Sequence, residues 1–163
     1  NAFSGLNSGD QVLTWNGAGY LTYTYYGPVY GWLDSSFQPA GDTPINAGDA
    51  VWVKDGGAGS EALSSGEVPS AASIDVAVIV GLNMIANPYP VALALMDIPD
   101  PLTSGDIVYL WNGAGYATYT YYGATYGWLD ASFQPAGTVQ VAVGQGFWLS
   151  AQAAATLTFN KAF

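Results

Sequence analysis

The chain of 163 residues contains no cysteine, histidine or arginine, and its only basic side chains are those of Lys54 and Lys161. These absences exclude disulfides, Cys or His nucleophiles, a Ser-His-Asp triad and metal sites built from Cys or His. Twelve acidic residues give a net charge of −10, which repels phosphate and excludes nucleic-acid binding. We therefore expect a protein that is not an enzyme and that holds no cofactor and no metal.

Charge is scarce as well as one-sided, since 9% of the residues are charged and 50% are hydrophobic. Soluble proteins carry about 25% charged residues, so either uncharged polar side chains form this surface or other copies cover much of it. One uncharged run, residues 76–96, is interrupted by Asn83, Asn87 and two prolines. A helix would break there and leave polar groups in lipid. We expect no membrane insertion and interpret the run as two buried strands flanking a turn.

An internal repeat organises the chain. Residues 10–53 align with residues 106–149 at a constant offset without a gap, and 27 of these 44 positions are identical. Between Trp15 and Gly41 the identity rises to 23 of 27 positions. Such self-similarity indicates two copies of one structural unit in tandem. We expect a first unit over residues 1–67 and a second over residues 68–163.

The local signals inside the repeat predict β-structure. Asn16-Gly17 lies between strand-forming residues, a typical hairpin signal, and the Ala-Gly that follows lengthens the loop beyond two residues. Residues 20–26 then alternate like a strand, Gly27 ends it, and a further strand is expected from Tyr30. The second copy repeats this pattern, with the further strand expected from Tyr126. Only residues 91–96 offer a place for a short helix. The predicted class is all-β: two tandem, related antiparallel units, sandwich-like and pseudo-symmetric.

The two copies differ in what flanks them. Residues 74–90 precede the second copy, whereas the matching text for the first copy would precede Asn1. The second copy closes with an alternating segment at 155–159, where the first has a Gly- and Ser-rich stretch. We expect the first unit to lack at least one strand, which leaves backbone and apolar side chains open to another chain. The alternatives are a truncated or edge-covered sheet, or a piece of a longer array.

Two segments are candidate donors of the missing strand to a neighbouring copy. The candidate assembly residues are Ile74, Val76, Val78 and Val80 in one segment, and Ala155, Leu157 and Phe159 in the other. Donation from each copy to the next does not close on itself. The expected partner is therefore the same protein, in a head-to-tail homopolymer.

A set of aromatic side chains recurs in both copies and forms the candidate contact or glycan surface. Aromatic faces can stack on sugar rings, and two copies would add avidity. The alternative is that half of these side chains pack in the core, since Tyr and Trp favour strands. The residues are Tyr23, Tyr25, Tyr30, Trp32, Tyr119, Tyr121, Tyr126 and Trp128.

Five aspartates are weighed as sites. Asp34 and Asp130 follow Trp-Leu in the two copies but lack the Thr-Gly or Ser-Gly that follows the catalytic residue of aspartic proteases. We expect them to cap turns. Asp97, Asp100 and Asp106 offer oxygen ligands suited to Ca²⁺, but the D-x-D-x-D-G spacing is missing. No catalytic or metal residue is assigned.

The second copy contains two further motifs. Residues 81–90 read GLNMIANPYP, and residues 144–149 read GQGFWL shortly before the final strand. This text resembles modules of large secreted or surface-anchored bacterial β-repeat proteins, which share a G-x-N-x-I-x-N-P-Y-P opening and a G-Q-G-F closing. The resemblance covers about residues 81–159 and part of the first copy, and it implies extracellular β architecture without catalytic residues. Since no leader is visible at Asn1, we expect any export signal to have been removed already or never to have been included in this sequence.

These features together predict a secreted, non-enzymatic structural subunit of an extracellular filament or surface layer. Strand complementation and Tyr-rich contacts between copies would hold it together. The alternative is a glycan-binding or adhesive module of a larger surface protein, with carbohydrate as its partner. A filament subunit should polymerise, whereas a binding module should be a monomer with solvent-facing Trp or Tyr.

Overall fold

The computed structural model describes residues 3–57, 63–64 and 66–162, with the backbone alone at 63–64. Strands account for 41% of the residues and helical turns for 7%. All the sheets are antiparallel. The all-β class is thereby confirmed.

The chain divides into two compact units. The first comprises residues 1–46 and 51–68, and the second comprises residues 47–50 and 69–163. The boundary lies one residue beyond the expected position between 67 and 68. The segment Ala47–Ala50 also departs from the expectation, because it belongs to the second unit.

The first unit contains a four-stranded sheet in the order β4-β3-β2-β5 and a two-stranded sheet of β1 and β6. Its elements are β1 (Phe3–Ser4), β2 (Gln11–Trp15), β3 (Tyr20–Tyr25), the helical turn α1 (Gly27–Tyr30), β4 (Trp32–Leu33), β5 (Trp52–Lys54) and β6 (Leu63–Ser64).

The second unit contains a five-stranded sheet in the order β12-β11-β10-β14-β8 and the two-stranded pairs β13-β9 and β15-β7. Its elements are β7 (Ser73–Val78), β8 (Gly81–Ala86), β9 (Leu93–Ala94), a 3₁₀ turn (Leu95–Asp97), β10 (Ile107–Trp111), β11 (Tyr116–Tyr121), the helical turn α2 (Gly123–Tyr126), β12 (Trp128–Asp130), β13 (Gln140–Val141), β14 (Gly146–Ala151) and β15 (Ala155–Asn160).

The central hairpin has the same register in both copies. Trp15 pairs with Tyr20 in the first copy, as Trp111 pairs with Tyr116 in the second. The four-residue loop is held by the Asn16 side chain, whose Oδ1 accepts the N–H groups of Ala18 and Gly19 at 3.0 and 2.9 Å. The expectation of a loop longer than two residues is therefore correct, and an Asx turn accounts for its length.

Two helical turns replace the start of the next strand. After β3 the chain forms α1, with Gly27 at φ 78° and Gly31 at φ 66° on either side. The expectation that a strand begins at Tyr30 and Tyr126 is wrong, since both residues end these turns. Each turn spans only four residues, too few to show a 3.6-residue period in the sequence. In the region where a short helix was expected, the chain forms the 3₁₀ turn.

The hydrophobic core of the second unit collects side chains from all of its strand groups. Buried residues come from the five-stranded sheet, from the β7-β15 and β9-β13 pairs, and from the segment before β10. Val108, Leu149, Leu157 and Leu95 are each at most 1% exposed. The segments outside the repeat therefore complete this core.

The segment Ala47–Ala50 adds to the second unit at β8. Asp49 bridges Ile85, the Gly48 carbonyl accepts the Ala86 N–H at 2.9 Å, and Ala50 lies against Gly146. A Cβ at residue 146 would come within 2.6 Å of the Ala50 Cβ. Glycine is required there because the Ala50 methyl group occupies the space that a side chain would need.

Candidate functional site

The structure separates the predicted aromatic surface into buried and exposed members. Trp128 is 2% exposed, and Tyr119 and Tyr121 pack against the core of the second unit. The assignment of Trp128 to a contact or glycan surface is therefore wrong, because its ring is enclosed by its own unit. Tyr30 and Tyr126 are each 71% exposed. The remaining members, Tyr23, Tyr25 and Trp32, are half-buried.

The candidate assembly strands are paired with each other. β7 and β15 form six antiparallel residue pairs, from Ala155 with Val78 to Asn160 with Ser73. Most of the candidate residues lie in or against the core of the second unit: Val78, Leu157 and Phe159 are buried in it, and Ile74, Val76 and Ala155 pack against it. Donating either strand to another copy would dismantle that core. Val80 alone among the candidates lies outside the strands and is exposed.

The first unit presents an apolar face that its counterpart in the second unit buries. Ile45 is 38% exposed, whereas the aligned Val141 is 1% exposed. Val53 is 36% exposed, against 1% for the aligned Leu149. Among the described residues, the first unit has no strands of its own that correspond to β8 and β9. The described part of the first unit therefore has no counterpart of the side chains that these strands add to the second core.

An open cavity of about 130 Å³ lies in this face of the first unit. Its walls are formed by Phe3, Val12, Thr14, Tyr23, Trp32, Ala40, Gly41, Thr43 and Ile45. None of these residues is charged. We call this set the open face of the first unit.

An apolar turn projects from the second unit between β7 and β8. Ile79 and Val80 are 48% and 64% exposed. The buried Asn83 side chain fixes the turn, since its Oδ1 accepts the Ile79 N–H and its Nδ2 donates to the Ile79 carbonyl, both at 2.8 Å. We call Ile79 and Val80 the apolar turn.

A second surface feature occurs once in each unit and was not predicted as a set. In the first unit the Tyr26 and Phe37 rings lie 6.0 Å apart at 46°, and the exposed Tyr30 ends the helical turn that follows Tyr26. In the second unit the Tyr122 and Phe133 rings lie 5.9 Å apart at 50°, and Tyr126 ends the helical turn that follows Tyr122. We call each set of three an aromatic platform. Sequence reasoning assigned no role to Phe37 or Phe133, and no pattern there indicated that their rings face solvent.

The carboxylates of Asp34 and Asp130 accept hydrogen bonds from backbone N–H groups. Asp34 Oδ1 accepts the N–H groups of Ser36 and Gln38 at 2.8 and 2.9 Å, and Asp130 repeats both bonds in the second unit. The prediction that these two residues cap turns is confirmed. No group of three or more acidic side chains able to hold a metal ion occurs within the described part of the chain.

Asp10 and Asp106 are the buried carboxylates, 1% and 3% exposed. Asp106 accepts the N–H groups of Thr103 and Gln152 at 2.8 and 2.7 Å, and Asp10 accepts those of Asn7 and Gly56, each at 2.8 Å. Each therefore ties the start of the repeat to the segment that follows its last strand. Asp106, weighed above as a calcium ligand, already directs both oxygens to backbone donors.

The comparisons with known proteins return nothing: no family model, no curated protein and no solved structure matches this chain. The resemblance to bacterial surface modules therefore stays a prediction from its motifs. None of the helices in the described residues has the length and apolar character needed to cross a membrane.

Proposed function

We propose that this chain is a non-enzymatic structural subunit of an extracellular filament or surface layer, in which copies join head to tail. The observation that carries the proposal is the open face of the first unit. Its residues Trp32, Ala40 and Ile45 are aligned with buried residues of the second unit. Covering such apolar surface is favourable by about 25 cal/mol per Å². In the second unit the equivalent surface is covered by apolar side chains from strands and turns, and we expect a similar cover for the open face.

The apolar turn of a second copy is the part that suits the open face. Donation of β7 or β15 would expose Leu157 and Phe159, so no net apolar burial would result. Ile79 and Val80 are exposed already, and Asn83 holds their turn in place without the rest of the strand moving. Complementation then consists of apolar side chains entering the cavity while the donor keeps its own core.

The charge distribution supports contacts between these two surfaces. Copies with a net charge of −10 repel one another, so a stable contact has to be made where carboxylates are absent. The open face and the apolar turn contain no charged residue. A contact between two different surfaces of the same chain is heterologous and grows into a filament unless its rotation closes a ring.

The experiment compares the oligomeric state of charged variants by light scattering and electron microscopy of natively purified protein. Ile45→Asp places a carboxylate in the open face, and Val80→Asp places one in the apolar turn. We expect polymers from the unaltered protein and monomers of 17.0 kDa from each variant. The matched control is Val143→Asp, at an exposed position outside both surfaces, which should still polymerise.

Mixing the two variants gives the decisive result. Ile45→Asp retains an intact apolar turn and Val80→Asp retains an intact open face, so one productive contact remains between them. The mixture should contain a 1:1 complex of twice the subunit mass and no polymer. Unaltered protein that stays at 17.0 kDa at every concentration contradicts the proposal, as does a mixture that shows no complex while both variants keep their β-sheet circular dichroism.

A second candidate function is a binding module for carbohydrate. The repeated, exposed aromatic platforms favour it, and they are separate from the residues used for assembly.

A further inference from the structure

The two aromatic platforms are preserved in units that otherwise differ in burial. Tyr30 and Tyr126 are both 71% exposed, Phe37 and Phe133 are 67% and 66% exposed, and the ring distances agree within 0.1 Å. By contrast, Trp32 is half-buried where Trp128 is enclosed. The platform geometry thus does not depend on how well the unit around it is packed.

Phe37 and Phe133 adopt a backbone conformation that aromatic residues rarely occupy. Their φ angles are 60° and 58°, in the left-handed region, and they are the described non-glycine residues with positive φ. The turn imposes this conformation through the Asp34 carboxylate and the Phe37 N–H bond to the Asp34 carbonyl at 3.0 Å. A strained residue whose side chain faces water gains little in folding, and such strain concentrates at functional positions.

The turns that contain Phe37 and Phe133 carry polar acceptors and no basic side chain. In the first platform's turn the second carboxylate oxygen of Asp34 has no hydrogen-bond partner among the described residues, and Ser36 and Gln38 are exposed beside it. The same three residue types recur at 130, 132 and 134. Neither turn contains a lysine or arginine, so phosphate, sulfate or uronate groups would meet only negative charge.

From these features we propose that the platforms are two equivalent binding sites for neutral carbohydrate, with Tyr30 and Tyr126 as the principal stacking residues. A sugar ring offers an apolar face to the aromatic side chains, and its hydroxyl groups can donate to the Asp34 or Asp130 carboxylate. A polysaccharide repeats the epitope, so one polymer chain can engage more than one platform. This site is independent of the proposed assembly contact.

The test is affinity gel electrophoresis of the full chain in native gels that contain hydroxyethyl cellulose or laminarin, both neutral, or alginate, which is anionic. We expect retardation by at least one neutral polymer and none by alginate. Tyr30→Ala and Tyr126→Ala should each weaken binding on the order of 100-fold, as expected for lost avidity, and the double variant should run as in a gel without polymer. Val29→Ala, at a position 82% exposed beside Tyr30, is the matched control and should bind as the unaltered protein does.

Several results would overturn the site. Absence of retardation by both neutral polymers would do so, as would equal retardation of the double variant and the unaltered protein. Stronger retardation by alginate would mean that the charge argument is wrong. A double variant that changes the oligomeric state but not the retardation would assign the platforms to contacts between copies. Because the Ile45 and Val80 variants keep both platforms, their monomers should still be retarded whether or not the assembly proposal holds.

Discussion

The two units share one repeat and differ in how completely its apolar face is covered. In both, the hairpin, the helical turn and the aspartate-capped turn have the same geometry. In the second unit β8, β9 and the β7-β15 pair bury that face, whereas the first unit has a short substitute. There β1 pairs with β6 over two residues, where β7 and β15 pair over six.

The repeat therefore determines the local structure of each unit, and the segments that flank the repeat determine how completely its core is covered. Val12 and Val108, at aligned positions in the central hairpin, are both buried. Ile45 and Val141 diverge because Val141 pairs with Leu93 of β9, whereas no strand in the described residues pairs with the segment that contains Ile45. The repeated sequence thus carries an apolar face in both places, and in the first unit part of that face is exposed.

Truncating the aligned tryptophans should give the largest difference in stability between the two units. Trp128→Ala removes an enclosed ring and should destabilise the second unit by about 3–5 kcal/mol. Trp32→Ala removes a half-buried ring at the edge of a cavity and should cost about half as much or less. Denaturant unfolding of the monomeric Ile45→Asp background measures both, and equal losses would contradict the difference in packing.

Replacing its buried aspartate should lower the stability of each unit by a similar amount. Asp10→Asn and Asp106→Asn each set an amide N–H₂ against backbone donors that now bond a carboxylate. We expect a loss of about 1–3 kcal/mol in each case, from a buried donor left without an acceptor. Thermal unfolding checks this, with exposed Asp42→Asn as control. An unchanged melting temperature in either variant would show that its carboxylate does not anchor the repeat.

The strained phenylalanines should give the smallest effect. Asparagine tolerates the left-handed region better than phenylalanine, and the left-handed conformation costs other residues roughly 1–2 kcal/mol. Phe37→Asn and Phe133→Asn should therefore leave stability unchanged or raise it by up to about 1 kcal/mol, despite the lost contact with a Tyr ring. A loss of stability greater than about 1 kcal/mol would mean that the two rings stabilise the fold rather than form a binding surface.

The sequence predicted the β class, the repeat, the hairpin loop and the turn-capping aspartates because each depends on residues close together in the chain. It did not separate Trp32 from Trp128, since their surroundings are set by strands far away in sequence. It also missed the aromatic platforms. Tyr26 and Phe37 meet only because four-residue α1 reverses the chain and Phe37 takes a positive φ, and neither has a sequence period.

Hydrogen exchange of backbone amides tests directly whether another copy covers the open face of the first unit. It is measured at protein concentrations below and above those at which the protein assembles. We predict that amides of β2 and β3, under the open face, exchange faster than those of β10 and β11 in dilute solution. Their protection should then rise with concentration while β10 and β11 stay unchanged. Protection in the first unit that is independent of concentration would contradict the claim that its open face is a contact between copies.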